Sequence, residues 1–206
     1  MKKIILTAFE PFGNDIENPT MTLLDALPDN LFGYNLVKVI LPVVYEEAFN
    51  TLKPYILKHD PVLILMFGLA AGRSHVNLER IAINVNDSAS PDNNGLTLKE
   101  QIIKKDGPDG IFANFPFERI ALKAINQGVP IAISNSAGTY VCNDLMYRTL
   151  DYLKEINAKT LCDFVHVPYL THQVTNKLAM PSMSLTTLID AVMLILDDLL
   201  NPHSIR

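Results

Sequence analysis

Short apolar runs rich in β-branched residues, separated by segments of helical character, constrain this chain more than any other feature. The runs cover Ile4 to Phe9, Leu36 to Leu41, Val62 to Phe67, Arg80 to Val85, Pro130 to Ser134 and Thr160 to Val165. Each has the length of a strand. Helical segments fall between most of them, at Thr20 to Leu27, Tyr45 to Lys58, Pro116 to Gln127 and Asn143 to Ile156. Pro54 is expected to kink or end the second of these, because proline removes one helical N–H and crowds the preceding turn. Leu185, Leu188, Ile189, Val192, Ile195, Leu196 and Leu199 recur at helical spacing and predict a last helix with one face in the core. Such alternation implies an α/β protein, a three-layer α/β/α arrangement around a twisted, mostly parallel sheet. Residues 1–206 are expected to form one domain, since a chain of this length is within reach of a single core.

Hydrophobic residues make up 49% and charged residues 19% of the chain, enough apolar surface to fold without a metal or a partner. The net charge is −5 and no basic run exceeds a pair of lysines, which argues against nucleic acid as a partner. Glu10 interrupts the first apolar run, and Asp197 and Asp198 break the last one. Neither reads as a leader or a membrane span, so a soluble, cytoplasmic protein is expected, and in that compartment Cys142 and Cys162 are expected to remain free thiols. No CxxC or HExxH spacing occurs, and the loop Gly68 to Arg73 lacks both the phosphate-loop lysine and the dinucleotide fingerprint. Neither a metal nor a cofactor is expected.

The chemistry then rests on few residues. In PIAISNSAGTYVCNDLMYRTLDYL a strand leads through a Ser/Asn/Gly turn into a helix whose first turn begins near Cys142. Helix N-terminal N–H groups favour thiolate over thiol, which makes Cys142 a candidate nucleophile; the alternative is a small buried hydrophobe. His166 ends a strand-like run just before Val167-Pro168, at the end of a strand where α/β sites gather, and is a candidate base. Glu79 adjoins an apolar run, where a buried carboxylate needs a partner. A histidine would satisfy it and complete a triad, whereas Arg73 or Arg80 would make it a plain salt bridge. His59 and His203 receive no catalytic role. Two stretches resist a regular assignment, Glu10 to Pro19 and Asn86 to Ile111, and the second is a candidate lid.

Taken in order, FEPFG (9–13) with Asn18-Pro19, GLAAGR (68–73), LERIAIN (78–84), PDNNG (91–95), DGP (106–108), SNSAGTYVCN (134–143), HVPYL (166–170) and PSMSL (181–185) resemble the pyroglutamyl peptidase I family. The resemblance implies removal of an N-terminal pyroglutamyl residue from peptides by a Cys-His-Glu triad on a single-domain α/β/α fold, often as a homotetramer. The triad falls on Cys142, His166 and Glu79. The lactam pocket falls on Phe9, Phe12, Tyr140 and Val141. The chain departs from the family's commoner residues at Ala71, Ala89, Tyr140, Cys162-Asp163 and Thr171-His172-Gln173; Ala89 stands where an arginine is common.

Two other functions compete with a thioester-forming cysteine peptidase. One is a non-catalytic protein that captures pyroglutamyl ends on the same fold; the other is a nucleoside- or phosphate-handling enzyme on a similar scaffold. In the peptidase reading, backbone N–H groups at the start of the Cys142 helix meet the oxyanion, with Arg73 as a possible helper.

Overall fold

The computed structural model of the chain describes residues 1–201, so His203 lies outside the described residues. In chain order the first half carries β1 (Lys3–Phe9), α1 (Pro19–Ala26), β2 (Asn30–Leu31), β3 (Tyr34–Leu41), α2 (Glu47–His59), β4 (Leu63–Leu69), β5 (Val76–Glu79), β6 (Ile81–Ile83) and β7 (Val85–Asn86). The second half carries β8 (Gln101–Ile102), β9 (Gly110–Phe112), α3 (Phe117–Gln127), β10 (Ile131–Ser134), α4 (Val141–Glu155), β11 (Leu161–Val167), β12 (Tyr169–Leu170), a 3-10 turn at Thr171–Val174, β13 (Ser182–Met183) and α5 (Leu185–Leu200).

The central sheet runs β10-β5-β11-β4-β1-β3-β2. Strands β3, β1, β4 and β11 are parallel neighbours, and β10 is parallel to β5. β5 is antiparallel to β11, and β2 to β3. Every residue of β4 is buried, which requires cover on both faces and explains its unbroken run of apolar residues. α2 packs on α4, while α1 and α3 pack on α5, giving the α/β architecture expected from the alternation of elements.

Several local expectations change. α2 runs through Pro54 without ending there. Pro54 and Asn50 both lie on the exposed side, so the carbonyl that proline leaves unpaired faces water, while Ala48, Phe49, Leu52 and Ile56 hold the other side in the core. The run Arg80 to Val85 is not one strand. After β5 the chain leaves the sheet, because Asn143 on α4 takes over its backbone groups: its Oδ1 accepts from Ile83 N at 2.9 Å, and its Nδ2 donates to Ile83 O at 2.8 Å and Val85 O at 3.1 Å. The stretch 86–111 is also more ordered than its composition suggests, since β7 pairs with β8 and β6 with β9.

Gly107, in the DGP motif, has a steric cause. A Cβ there would lie 2.4 Å from the Tyr147 hydroxyl, which donates to Pro108 O at 2.8 Å. A final oddity is Asp163 on β11, fully buried with neither carboxyl oxygen hydrogen-bonded. Burial pushes its carboxyl well above the usual carboxylate range and favours the neutral acid.

Candidate active site

The carboxyl ends of β1, β4 and β11 lie side by side, and the loops that leave them carry FEPFG, GLAAGR and HVPYL. In an open α/β sheet this edge collects ligands. His166 is inside β11, which continues to Val167 and ends only at Pro168. Because β5 runs antiparallel to β11, with His166 opposite Asn77 and Val165 opposite Leu78, Glu79 shares a face with His166.

The two side chains meet: His166 Nδ1 lies 2.8 Å from Glu79 Oε1. Glu79 is fully buried and His166 is 5% exposed. Arg73, from the loop after β4, donates through Nη1 to the same Oε1 at 2.6 Å and to Asn77 Oδ1 at 3.0 Å, and through Nη2 to Ser136 O at 3.3 Å. Glu79 therefore has both partners that the sequence left as alternatives, histidine and Arg73. Arg80 turns elsewhere, its guanidinium 5.9 Å from the Phe117 ring centre.

Burial alone would raise the Glu79 carboxyl, but the hydrogen bond and charge of His166, the nearby Ser134 hydroxyl and the Arg73 charge hold it below its ordinary value. An ionised carboxylate can only accept, so the proton of neutral His166 is on Nδ1 and Nε2 is free to take another. Burial lowers the His166 pKa, helped by the Arg73 charge and opposed by Glu79. The shift favours the neutral imidazole, the form a base would need.

Cys142 is the second residue of α4, whose N-cap, Tyr140, makes no side-chain hydrogen bond to the first turn. Its sulfur reaches the sheet at Gly68, the register partner of His166 on β4. A Cβ on Gly68 would lie 3.1 Å from Cys142 Sγ and 2.7 Å from the Phe164 ring. The missing side chain is thus what lets the sulfur settle beside the histidine's strand. The helix start is not what dominates the protonation of this thiol. Although Cys142 as a residue is half-buried, the thiol sits deep in the cleft; burial, and then the Glu79 charge, push it up to about 12, and the backbone and Arg73 offset only part. The partial charge of a helix end is smaller than this desolvation. A thiol held this high would have to lose its proton as it attacks if it served as a nucleophile.

A family model for pyroglutamyl peptidases matches residues 2–200. The chain belongs to the pyroglutamyl peptidase family. It is 40% identical over 190 residues to the pyrrolidone-carboxylate peptidase of Thermosipho africanus, covering 92% of this chain and 93% of that one. Among solved structures, a mutant pyrrolidone carboxyl peptidase from Pyrococcus furiosus superimposes with a TM-score of 0.92 at 33% identity, covering 98% of this chain and 99% of that one. The pyrrolidone carboxyl peptidase of Thermococcus litoralis gives 0.89 at 36% identity, covering 97% and 95%.

The residues that the family resemblance assigns to the lactam pocket are only partly brought together. Phe12 and Tyr140 approach with ring centres 6.3 Å apart, and Tyr45 meets Tyr140 edge-on at 5.5 Å. Phe9 is buried and lies against Phe164 at 6.3 Å, pinned by its N–H to Thr20 Oγ1 at 3.1 Å; Asn18, the cap of α1, accepts in turn from that hydroxyl. Val141 is fully buried. A cavity of about 340 Å³ between residues 14–17 and 172–177 adjoins the loop carrying Phe12, but no triad side chain lines it.

Tyr45 and Gly68 escaped the sequence reading. Tyr45 is fixed by Asp92 Oδ2, which accepts its N–H at 3.2 Å, and by a tight turn at Glu46 with φ of 62°. Asp144 Oδ2 accepts the Glu46 N–H at 3.0 Å and holds that strained residue in place. The only signal for Gly68 was a glycine at the end of a fully apolar run. The PDNNG loop is tied down as well. Asn93 Nδ2 donates to Pro11 O at 3.0 Å, and the Tyr140 hydroxyl, which a phenylalanine would lack, donates to Pro91 O at 2.8 Å. Ala89, where the resemblance implies an arginine, is exposed and uncharged. Among the described residues, no group of three or more His, Cys, Asp or Glu could hold a metal ion.

Proposed function

We propose that this chain hydrolyses the bond after an N-terminal pyroglutamyl residue, with Cys142 as nucleophile, His166 as base and then acid, and Glu79 as the group that orients His166. The observation that carries the reading is the Glu79–His166 hydrogen bond at 2.8 Å, set beside the glycine gap that admits the Cys142 sulfur. His166 Nε2 takes the thiol proton as sulfur attacks the pyroglutamyl carbonyl, and the new imidazolium rests against the Glu79 carboxylate. The imidazolium then protonates the departing amine. Water, activated by the same nitrogen, resolves the thioester. The uncapped N–H groups at the start of α4 are the donors for the oxyanion, and one such donor matters by about 10²-fold or more. Arg73 is engaged with Glu79, which makes it a poor oxyanion donor.

Phe12, Tyr140 and Tyr45, with the backbone at Val141 and the Phe9 ring behind Phe164, form the slot for the lactam. An apolar slot accepts a neutral ring and rejects the charged secondary amine of an N-terminal proline, whose unpaired burial is costly. A proline ring would also leave the donor meant for the lactam carbonyl unsatisfied. The enzyme is therefore expected to prefer pyroglutamyl over prolyl coumarin amides by about 10⁴-fold in kcat/KM. Comparable values for the two amides would refute a lactam-reading pocket.

The chain works in the cytoplasm as a homo-oligomer, a tetramer by family resemblance. Free Cys142 and Cys162 suit a reducing compartment, and no helix among the described residues is long and apolar enough to cross a membrane. Ile16, Phe112 and Leu178, at 96%, 68% and 95% exposure, are apolar surface that an assembly would cover.

A further inference from the structure

We propose that Arg73 is a positioning residue for the triad: its guanidinium holds the Glu79 carboxylate and the turn that delivers Cys142 in one arrangement, and its fixed charge opposes formation of the imidazolium in the resting site. The inference rests on the triad reading above and adds a fourth member to it.

The geometry has three parts. One guanidinium nitrogen bonds both Glu79 Oε1 and Asn77 Oδ1, so Arg73 is locked to two residues of β5 on the face that meets His166. The other nitrogen bonds Ser136 O, in the turn between β10 and α4 that sets where Cys142 begins its helix. Finally, Arg73 and His166 share a single carboxylate oxygen, while Glu79 Oε2 is buried without a hydrogen-bond partner. A carboxylate oxygen that serves two donors attracts each less than it would attract one alone.

The charged and titratable groups around the imidazole come from separate elements: Glu79 from β5, Arg73 from the loop after β4, and Cys142 from α4, whose sulfur adjoins Gly68 beside His166. Asp163, on the histidine's own strand, is fully buried and interacts with Glu79. Arg73 is the cation of this set. Its side chain is one-third exposed, so part of its field is screened by water, yet it opposes a positive charge on His166 and favours a negative one on Cys142. The first effect keeps the base neutral to lower pH, and the second makes the thiol easier to deprotonate. The orienting carboxylate and the cleft's cation are in this way one connected device.

Lysine cannot replace it fully, because a single ammonium lacks the planar fork that reaches β5 and the Ser136 carbonyl together. The test uses Arg73→Gln and Arg73→Lys, read by the pH profile of kcat/KM on a pyroglutamyl amide and by NMR titration of the His166 ring, assigned with His166→Asn. Arg73→Gln should lose about 10²-fold in kcat/KM at neutral pH, the scale of a misplaced catalytic group. Its acidic limb and His166 midpoint should both move to higher pH; Arg73→Lys should move them in the same direction by less. An acidic limb and a midpoint that stay at the wild-type pH, in whichever variant folds, would overturn the inference and leave Arg73 a structural clamp. If the wild type turned over no pyroglutamyl amide, the functional reading would fail while the ring titration still decided the role of Arg73.

Discussion

Replacing Cys142 by serine or alanine is expected to lower kcat/KM on a pyroglutamyl amide by about 10⁴-fold or more, because a nucleophile and its base act as a unit and cannot be removed in part. Serine keeps the shape but is a far weaker acid. In a cleft where burial already holds the thiol near 12, a neutral imidazole has too little drive to deprotonate a hydroxyl. The fold should survive, since Cys142 is half-buried and its helix is anchored by its neighbours: Asn143 through the 83–85 backbone, and Asp144 through Asn86 and Arg148. Cys162 provides the control. It is fully buried in β11, so Cys162→Ala should cost about 1 kcal/mol of stability and leave turnover in place. Activity that survived Cys142→Ser in folded protein but vanished in Cys162→Ala would reverse the assignment.

The second large effect is expected from Glu79→Gln, a loss of about 10³-fold carried mainly by kcat. Oε1 accepts from His166 and from Arg73 at once, and an amide oxygen in its place keeps two weaker hydrogen bonds. What it cannot keep is the negative charge that stabilises the imidazolium as the thiol proton arrives. The substitution also leaves the Arg73 cation uncompensated beside the ring, which further disfavours His166 accepting a proton. If the amide turned its NH₂ inward, donor would face donor and the histidine would lose its tautomer. Substrate binding in the aromatic slot does not involve Glu79, so KM should change little. Unchanged kinetics in Glu79→Gln would return Glu79 to a plain salt-bridge role.

The order of elements was legible because strands and helices here carry their periods openly: β4 is a continuous apolar run, and α5 shows its stripe. The proposed triad could be named because each member lies next to a strong local signal, a helix start for Cys142, a strand end for His166, and a carboxylate forced against an apolar run for Glu79. What could not be read depends on partners distant in sequence. The break after Glu79 is set by Asn143, some sixty residues on, which captures the backbone at Ile83 and Val85. Pro54 sits inside a helix because its side is wet, and burial cannot be seen from propensity. What sets the thiol's protonation was hidden for a similar reason: helix position is local, whereas burial of the sulfur beside Gly68 on β4 and the charge of Glu79 come from elements distant in sequence. Gly68 shows the same limit, since only the meeting of β4, β11 and α4 reveals what fills the place of its side chain.

The central claim, a Cys142 thiol activated by His166, is tested most directly by treating the wild-type protein with iodoacetamide while following turnover of a pyroglutamyl amide and mapping the alkylated cysteine by mass spectrometry. The account predicts that activity falls in step with modification of Cys142, while buried Cys162 stays unmodified and a chelator has no effect. Turnover that persists with Cys142 fully alkylated, or that is lost to the chelator and restored by zinc, would contradict it.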